Sequence, residues 1–296
     1  MKMKKLSIVV VILGSVFTIA CSNDSDDRFS GNTQTSVVTT NFTTFDGAGE
    51  MLEGENEISD MKACLFENGK MTHVFDNLEK TEKGYKLELE HCSGTLYLLA
   101  NTAGIIDLYE MKNQNVNEAE WMKTVITPSN EKTTHFFTGV VSMDESSSNN
   151  NYLLTMKRGV ARFDLKINSL EEILVEKLEL TNVAQSAYLF PQDGGKLSPE
   201  NVSRKNITVD FIEALSINRS GVLYVYEQEN SNIQLIVTLL VNGKRKEIVQ
   251  TLSTSLKRNT VYTITVRKDW IDVWVDVSLE DWENGSDTEI VPFSGI

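Results

Sequence analysis

An all-β fold built from two tandem antiparallel sandwiches is the class this sequence predicts, and three observations carry it. Short runs in which apolar and polar residues alternate recur along the chain at strand length. The dipeptide that best marks a tight hairpin stands between such runs twice, at Asn68-Gly69 and Asn242-Gly243. Only one stretch, around residues 116–125, has helical spacing, and it is short. Many strands with turn residues between them and little helix argue for sandwiches rather than a parallel sheet.

The chain begins with an address. Lys2, Lys4 and Lys5 precede an apolar run over residues 6–19, which closes at Thr18-Ile19-Ala20-Cys21. A basic segment, a short apolar segment and small residues at the junction form an export signal. The run falls short of the roughly 20 residues a spanning helix needs. Cysteine directly after the junction makes it a lipoprotein signal, with cleavage between Ala20 and Cys21 and acylation of the Cys21 thiol. Two or more acyl chains hold a protein on a membrane where one is marginal. Residues 1–20 are therefore read as signal and residues 21–35 as a tether, whose start, Ser22-Asn23-Asp24-Ser25-Asp26-Asp27, is acidic and solvated. Such an acidic start fits transfer to the outer face of an outer membrane.

The strands follow. Residues 36–45 form the first candidate, and an acidic, glycine-containing connector occupies residues 51–60. A strand over residues 61–67 closes at Asn68-Gly69. In residues 85–92, Tyr85, Leu87 and Leu89 face one way and Lys86, Glu88 and Glu90 the other, as in a half-buried strand. Residues 95–100 are more continuously apolar and belong deeper. Residues 146–151 read as a loop. Strands are expected over residues 152–156 and 160–167; in the second, Ala161, Phe163, Leu165 and Ile167 alternate with Arg162, Asp164 and Lys166. Further strands fall at residues 174–180, 221–226, 233–241, 246–252, 260–267 and 271–279. The sandwiches are placed at residues 36–155 and 156–296.

Charge limits the partners. The chain carries −14, and removal of the first 20 residues, which hold three lysines and no acid, leaves about −17. Nucleic acid is excluded as a partner, because phosphate binding needs a basic surface. Chemistry is limited too. His73, His91 and His135 lie in no metal-ligand spacing, and the chain has no HExxH, no GxSxG and no phosphate loop. Gly47-Ala48-Gly49 is too short for a dinucleotide loop, and Glu88 with Glu90 reads as a solvated strand face. No cofactor, metal or catalytic residue is assigned, and the chain is not read as an enzyme. With Cys21 committed to lipid, Cys64 and Cys92 remain, either as a disulfide in an oxidising compartment or as two buried thiols. Trp270 and Trp274 share one face of the predicted 271–279 strand and its approach, opposite Ile271, Val273, Val275 and Val277. They read either as a sugar-stacking pair or as packing.

Four segments carry a resemblance. Gly94-Thr95-Leu96-Tyr97-Leu98-Leu99-Ala100-Asn101 is similar to a "GxYxLxxxAN" strand, and Met156-Lys157-Arg158-Gly159-Val160-Ala161-Arg162-Phe163 to an "RxxARxxx" strand. Val222-Leu223-Tyr224-Val225-Tyr226-Glu227, with Asn230 after it, is similar to "YVYEN". Lys257-Arg258-Asn259-Thr260-Val261-Tyr262-Thr263-Ile264 is similar to "RNxxYxxxI". In this order, over about residues 58–282 and behind a lipoprotein signal, they resemble the fimbrillin superfamily of type V pilus subunits. The resemblance implies two transthyretin-like β-sandwich domains, export as a lipoprotein to the outer membrane and cell surface, and a role in adhesion to a host or bacterial surface ligand. It also implies partnership with other fimbrial subunits by strand exchange, after a trypsin-like protease removes the first strand. An open sheet edge then recovers its backbone hydrogen bonds from the next subunit.

The chain departs from that pattern where processing would occur. The mature chain has Arg28 upstream of the first candidate strand, then no Lys or Arg until Lys62. A cut after Arg28 would release the lipid and leave the first strand in place. That counts against ordinary shaft polymerisation and fits an anchor subunit, which keeps its lipid, a subunit processed differently, or a surface glycan-binding lipoprotein on the same fold; otherwise the first strand lies closer to Phe29 or the protease has another preference. The C-terminal residues 288–296, with Pro292 lacking a donor, make a poor donor strand.

Overall fold

The structure is a computed structural model that describes residues 34–42, 51–81, 84–89, 93–128, 133–143, 151–268 and 273–279. The elements in chain order are β1 (Gln34–Phe42), β2 (Met61–Glu67), β3 (Lys70–Phe75), β4 (Glu79–Thr81), β5 (Gly84–Leu89), β6 (Gly94–Ala100), α1 (Leu108–Asn113), α2 (Glu118–Trp121), β7 (Val125–Ile126), β8 (Phe137–Met143) and β9 (Asn151–Arg158). After Gly159 come β10 (Val160–Asn168), β11 (Ile173–Ala184), β12 (Ala187–Tyr188), β13 (Arg204–Leu215), β14 (Arg219–Tyr226), β15 (Gln234–Val241), β16 (Lys244–Thr251), β17 (Val261–Lys268) and β18 (Val273–Leu279). The chain is all-β, as its alternating runs predict.

The first half is one eight-stranded sheet in the order β3-β2-β6-β8-β9-β1-β5-β4. Among the described residues, β8 and β9 pair only through Phe137 with Arg158 and Thr138 with Lys157. The sheet folds over at that seam, so Ala63, Leu65, Leu96 and Leu98 from one part face Val38, Leu87, Leu89 and Leu154 from the other across a single core. In the second half the sheet β14-β10-β17-β18 packs on the sheet β13-β11-β15-β16. Phe163, Leu165, Ile264 and Val266 meet Val175, Leu178, Val237 and Leu239 between them.

The two halves repeat one wiring. β1 lies between antiparallel β5 and parallel β9, and β10 lies between antiparallel β14 and parallel β17. β2 lies between β3 and β6, and β11 between β13 and β15. A third apolar cluster joins the halves. Trp121, fully buried, packs on Phe66 and Tyr97 of the first sheet and on Phe190, together with Val160 and Tyr226 from the second half. The chain crosses between halves at Gly159, where an added Cβ would stand 1.9 Å from Cζ of Phe136. Only glycine leaves room for that ring.

Local signals explain most boundaries. Asn68 and Gly69 (φ 51° and 74°) and Asn242 and Gly243 (φ 49° and 73°) adopt the positive-φ pairs of tight hairpin turns. Tyr85, Leu87 and Leu89 are buried while Glu88 is exposed. Three expectations change. The helix expected over residues 116–125 is confined to the four residues of α2, with a capping box between Asn117 and Glu120, and α1 precedes it. β8 and β13 form where no strand was expected. Arg162, on the polar side of its alternating strand, is 0% exposed, because a loop from the first half covers that side.

Candidate functional site: the first strand and its connector

β1 is an inserted strand. It aligns in parallel with β9 from Val37 opposite Asn151 to Phe42 opposite Met156. On its other side it pairs antiparallel with β5 from Gln34 opposite Leu89 to Val38 opposite Tyr85. Without it, β5 and β9 would each present an open edge, and the apolar faces of Leu87, Leu89, Leu154 and Met156 would lose the cover that the fully buried Val38 helps supply. The fit is tight: at Gly84 (φ +144°) an added Cβ would lie 2.2 Å from the carbonyl oxygen of Val38. Thr39 and Thr40 then line a polar cleft of about 980 Å³ with Lys80, Asn101, His135 and the 51–60 connector.

The connector is gripped from both halves. Its Leu52–Glu55 turn is closed by the Glu55 amide donating to the Leu52 carbonyl at 3.2 Å. Arg162 Nη1 donates to the Glu55 carboxylate at 3.0 and 3.1 Å, and Tyr224 Oη donates to it at 2.8 Å. The other edge of the Arg162 guanidinium holds Asp164 with two bonds of 2.9 Å. Arg158 bonds Asn56. Asn101 donates to the Glu57 carbonyl at 2.8 Å and accepts from the Ser59 amide at 2.8 Å, while Asp60 accepts from the Thr102 amide at 3.1 Å. The buried charges of Glu55 and Arg162 are thus paired, the condition under which buried charge is tolerated.

Electrostatics follow from this packing. Burial would lower the Arg162 pKa, but its bonds to Asp164 and Glu55 raise it overall. Burial, then the Glu55 carboxylate beside it, pushes the Tyr224 phenol well up. His135, whose ring centre lies 4.3 Å from that of Tyr224, is lowered by burial; Glu55 opposes the shift and Arg158 adds to it.

The quoted motif residues converge on this place. Asn101, Arg158, Arg162 and Tyr224 all touch the connector. Glu227 and Arg258 form a buried ion pair, and Arg258 also donates to the Leu189 and Tyr188 carbonyls at 3.0 and 2.8 Å. Asn259 accepts from Arg158 at 3.4 Å. Lys62, the first basic residue after Arg28, is 8% exposed and bonds the Ile106 carbonyl at 3.2 Å and Asp76 at 2.9 Å.

The other candidate residues stand apart from this site. Ala20, Cys21, Arg28, Cys92 and Trp270 lie outside the described residues, as do residues 288–296. Cys64 is a buried thiol pushed well up by burial. Trp274 is 41% exposed on the outer face of β18, with Val273 and Val275 buried behind it. Glu55 is the residue that sequence reasoning missed. Its only signal is a carboxylate in a loop next to a strand whose polar face carries Arg162, and that pairing has no local signature.

No family model matches the chain, and no curated protein matches it. Solved structures do match, at 15% identity or below among those compared, and the likeness is one of fold. A "putative cell adhesion protein" from Parabacteroides distasonis superposes with TM-score 0.59 at 15% identity, over 85% of this chain and 97% of that one. The tip fimbrial protein Mfa3 from Porphyromonas gingivalis, with C-terminal truncation, gives 0.54 at 14% over 84% and 100%. A fimbrial assembly protein from Parabacteroides distasonis gives 0.53 at 12% over 84% and 99%.

Proposed function

We propose that this chain is a subunit of a surface fimbrium that keeps its own first strand. The seat of β1 between β5 and β9 carries the reading, because the 33 residues from 29 to 61 hold no Lys or Arg at which a trypsin-like protease could remove the strand. The chain is anchored by lipid at Cys21 after cleavage behind Ala20, reaches the outer face of the outer membrane, and is built as sandwiches at residues 36–155 and 156–296. With its groove filled by β1, it occupies an end of the fibre, as anchor or tip, where other fimbrial subunits are its partners. Arg28 is the candidate processing site: a chain left uncut there keeps its lipid and serves as an anchor, and a chain cut there loses the lipid but keeps β1. The role is structural and adhesive, without catalysis.

Limited trypsin treatment of the mature Cys21→Ser chain, read by mass spectrometry and size, tests this. The expected product has lost residues 21–28 and remains a monomer that contains β1. Loss of residues up to about 60, with a ladder of larger species, would overturn it. A second reading, a glycan-binding surface lipoprotein, is favoured by one observation: the 41% exposure of Trp274 on an open sheet face.

A further inference from the structure

We infer that the outer face of the sheet β14-β10-β17-β18 binds an acidic saccharide, a pyranose that carries a carboxylate. The inference rests on the adhesive part of the proposed function and is independent of the fate of β1. Strand alternation defines the face. Phe163, Leu165, Ile264, Val266, Val273 and Val275 belong to the core, so Lys166, Thr265, Arg267, Trp274 and Asp276 point away from it. The register sets them in two rows. Arg267 is directly opposite Trp274, and Thr265 is opposite Asp276 with Lys166 on its other side. Paired rows two residues apart are about 7 Å from each other, a spacing that one sugar ring and its substituents can bridge.

The chemistry of the face selects the ligand. Trp274 offers an indole face, the surface on which the apolar side of a pyranose ring packs. Two cations near this face are taken by carboxylates: Arg162 by Glu55 and Asp164, and Lys268 by Glu171. Lys166 and Arg267 have no such partner among the described residues, and Nε of Arg267 is buried with no acceptor there. A guanidinium beside an open indole matches a sugar carboxylate, which it can hold through two parallel bonds. Thr265 and Asp276 supply a hydroxyl and a carboxylate for ring hydroxyls. The connector covers the β10–β14 side of the same sheet through Arg162 and Tyr224, so the open part lies at β17 and β18.

The test is calorimetric titration of the mature Cys21→Ser chain with tetragalacturonate and with its neutral, carboxyl-reduced counterpart. Binding of the acid is expected to exceed that of the neutral sugar by about tenfold or more and to weaken with added salt. Trp274→Ala should weaken both ligands by about tenfold. Arg267→Gln should erase the preference for the acid while leaving the neutral sugar unchanged. Both variants lie on an open face, and unchanged thermal melting would show that they fold. Equal affinity for the two sugars, no binding of the acid at millimolar concentration, or binding that Trp274→Ala leaves unmoved would each overturn the inference. None of these outcomes bears on the trypsin result that tests strand retention.

Discussion

Glu55 and Arg162 stand 107 positions apart and meet as a buried ion pair, with side chains 4% and 0% exposed. The pair fastens the loop behind β1 to the first strand of the second half. Breaking a buried pair costs more than the pair itself contributes, because a charge is stranded. Glu55→Gln leaves Arg162 with Asp164 and should cost about 3 kcal/mol in urea unfolding. Arg162→Met strands both carboxylates and should cost more. A glutamate-specific protease should then cut the connector faster in both variants. Equal stability of both variants with the parent would show that the clasp contributes nothing.

The contact between Gly84 and Val38 makes a second expectation. At φ +144° with 2.2 Å to the Val38 carbonyl oxygen, any side chain is strained and collides with β1. Gly84→Ala should lower stability by about 1–3 kcal/mol for the backbone conformation alone. It should also loosen β1 more than β2, seen as faster amide exchange at residues 34–38 than at residues 61–67. Uniform loss of protection across both strands would place the damage elsewhere.

What the sequence made legible was local. Asn68-Gly69 and Asn242-Gly243 mark their hairpins because only a few residue types accept positive φ at both positions. Tyr85, Leu87 and Leu89 mark a buried face because strand side chains alternate. The polar side of β10 shows the limit of that argument: alternation assigns Arg162 a face but cannot say that Glu55 will cover it. In β13 Ile207, Val209 and Phe211 do alternate with Thr208 and Asp210, but the run ends at the fully exposed Ile212 and its apolar side chains are only partly buried, so it marks a face weakly. The parallel pairing of β1 with β9 joins residues more than a hundred positions apart, and no local signal encodes it. The four segments that carry the resemblance contain Asn101, Arg158, Arg162 and Tyr224 without saying that one loop unites them.

Acid should weaken the fold in two stages. Burial lowers the His135 pKa below 6.5, so the unfolded chain takes up that proton first. Its share of stability is complete above pH 6.5 and is lost as pH falls through the lowered folded value. Glu229 is also lowered; burial opposes the shift, but bonds from Ser198 and the Leu197 amide outweigh it. Its contribution is present above 4.5 and is lost on further acidification. Urea midpoints measured from pH 8 to pH 4 should therefore begin to fall near 6.5 in the parent. In His135→Gln the decline should begin only nearer 4.5. An unchanged onset would assign the first stage to another group.

If the missing basic residue is what keeps β1 in place, restoring one should release it. Residues 43–50, which run from the end of β1 to the connector, contain no Lys or Arg, and Ala48→Arg supplies one. Trypsin should then cut behind β1 as well as after Arg28. The freed segment remains held by backbone hydrogen bonds on both sides and by buried Val38, so release is expected to be slow and to need mild denaturant or heat. Once it leaves, the open edges of β5 and β9 and the apolar groove between them require a substitute strand. A synthetic peptide of residues 34–42 should bind the nicked protein and restore its melting temperature; the same peptide with Val38→Asp should not, because a charge would enter the core. A nicked protein that loses β1, stays monomeric and rejects the peptide would show that this groove is not an acceptor.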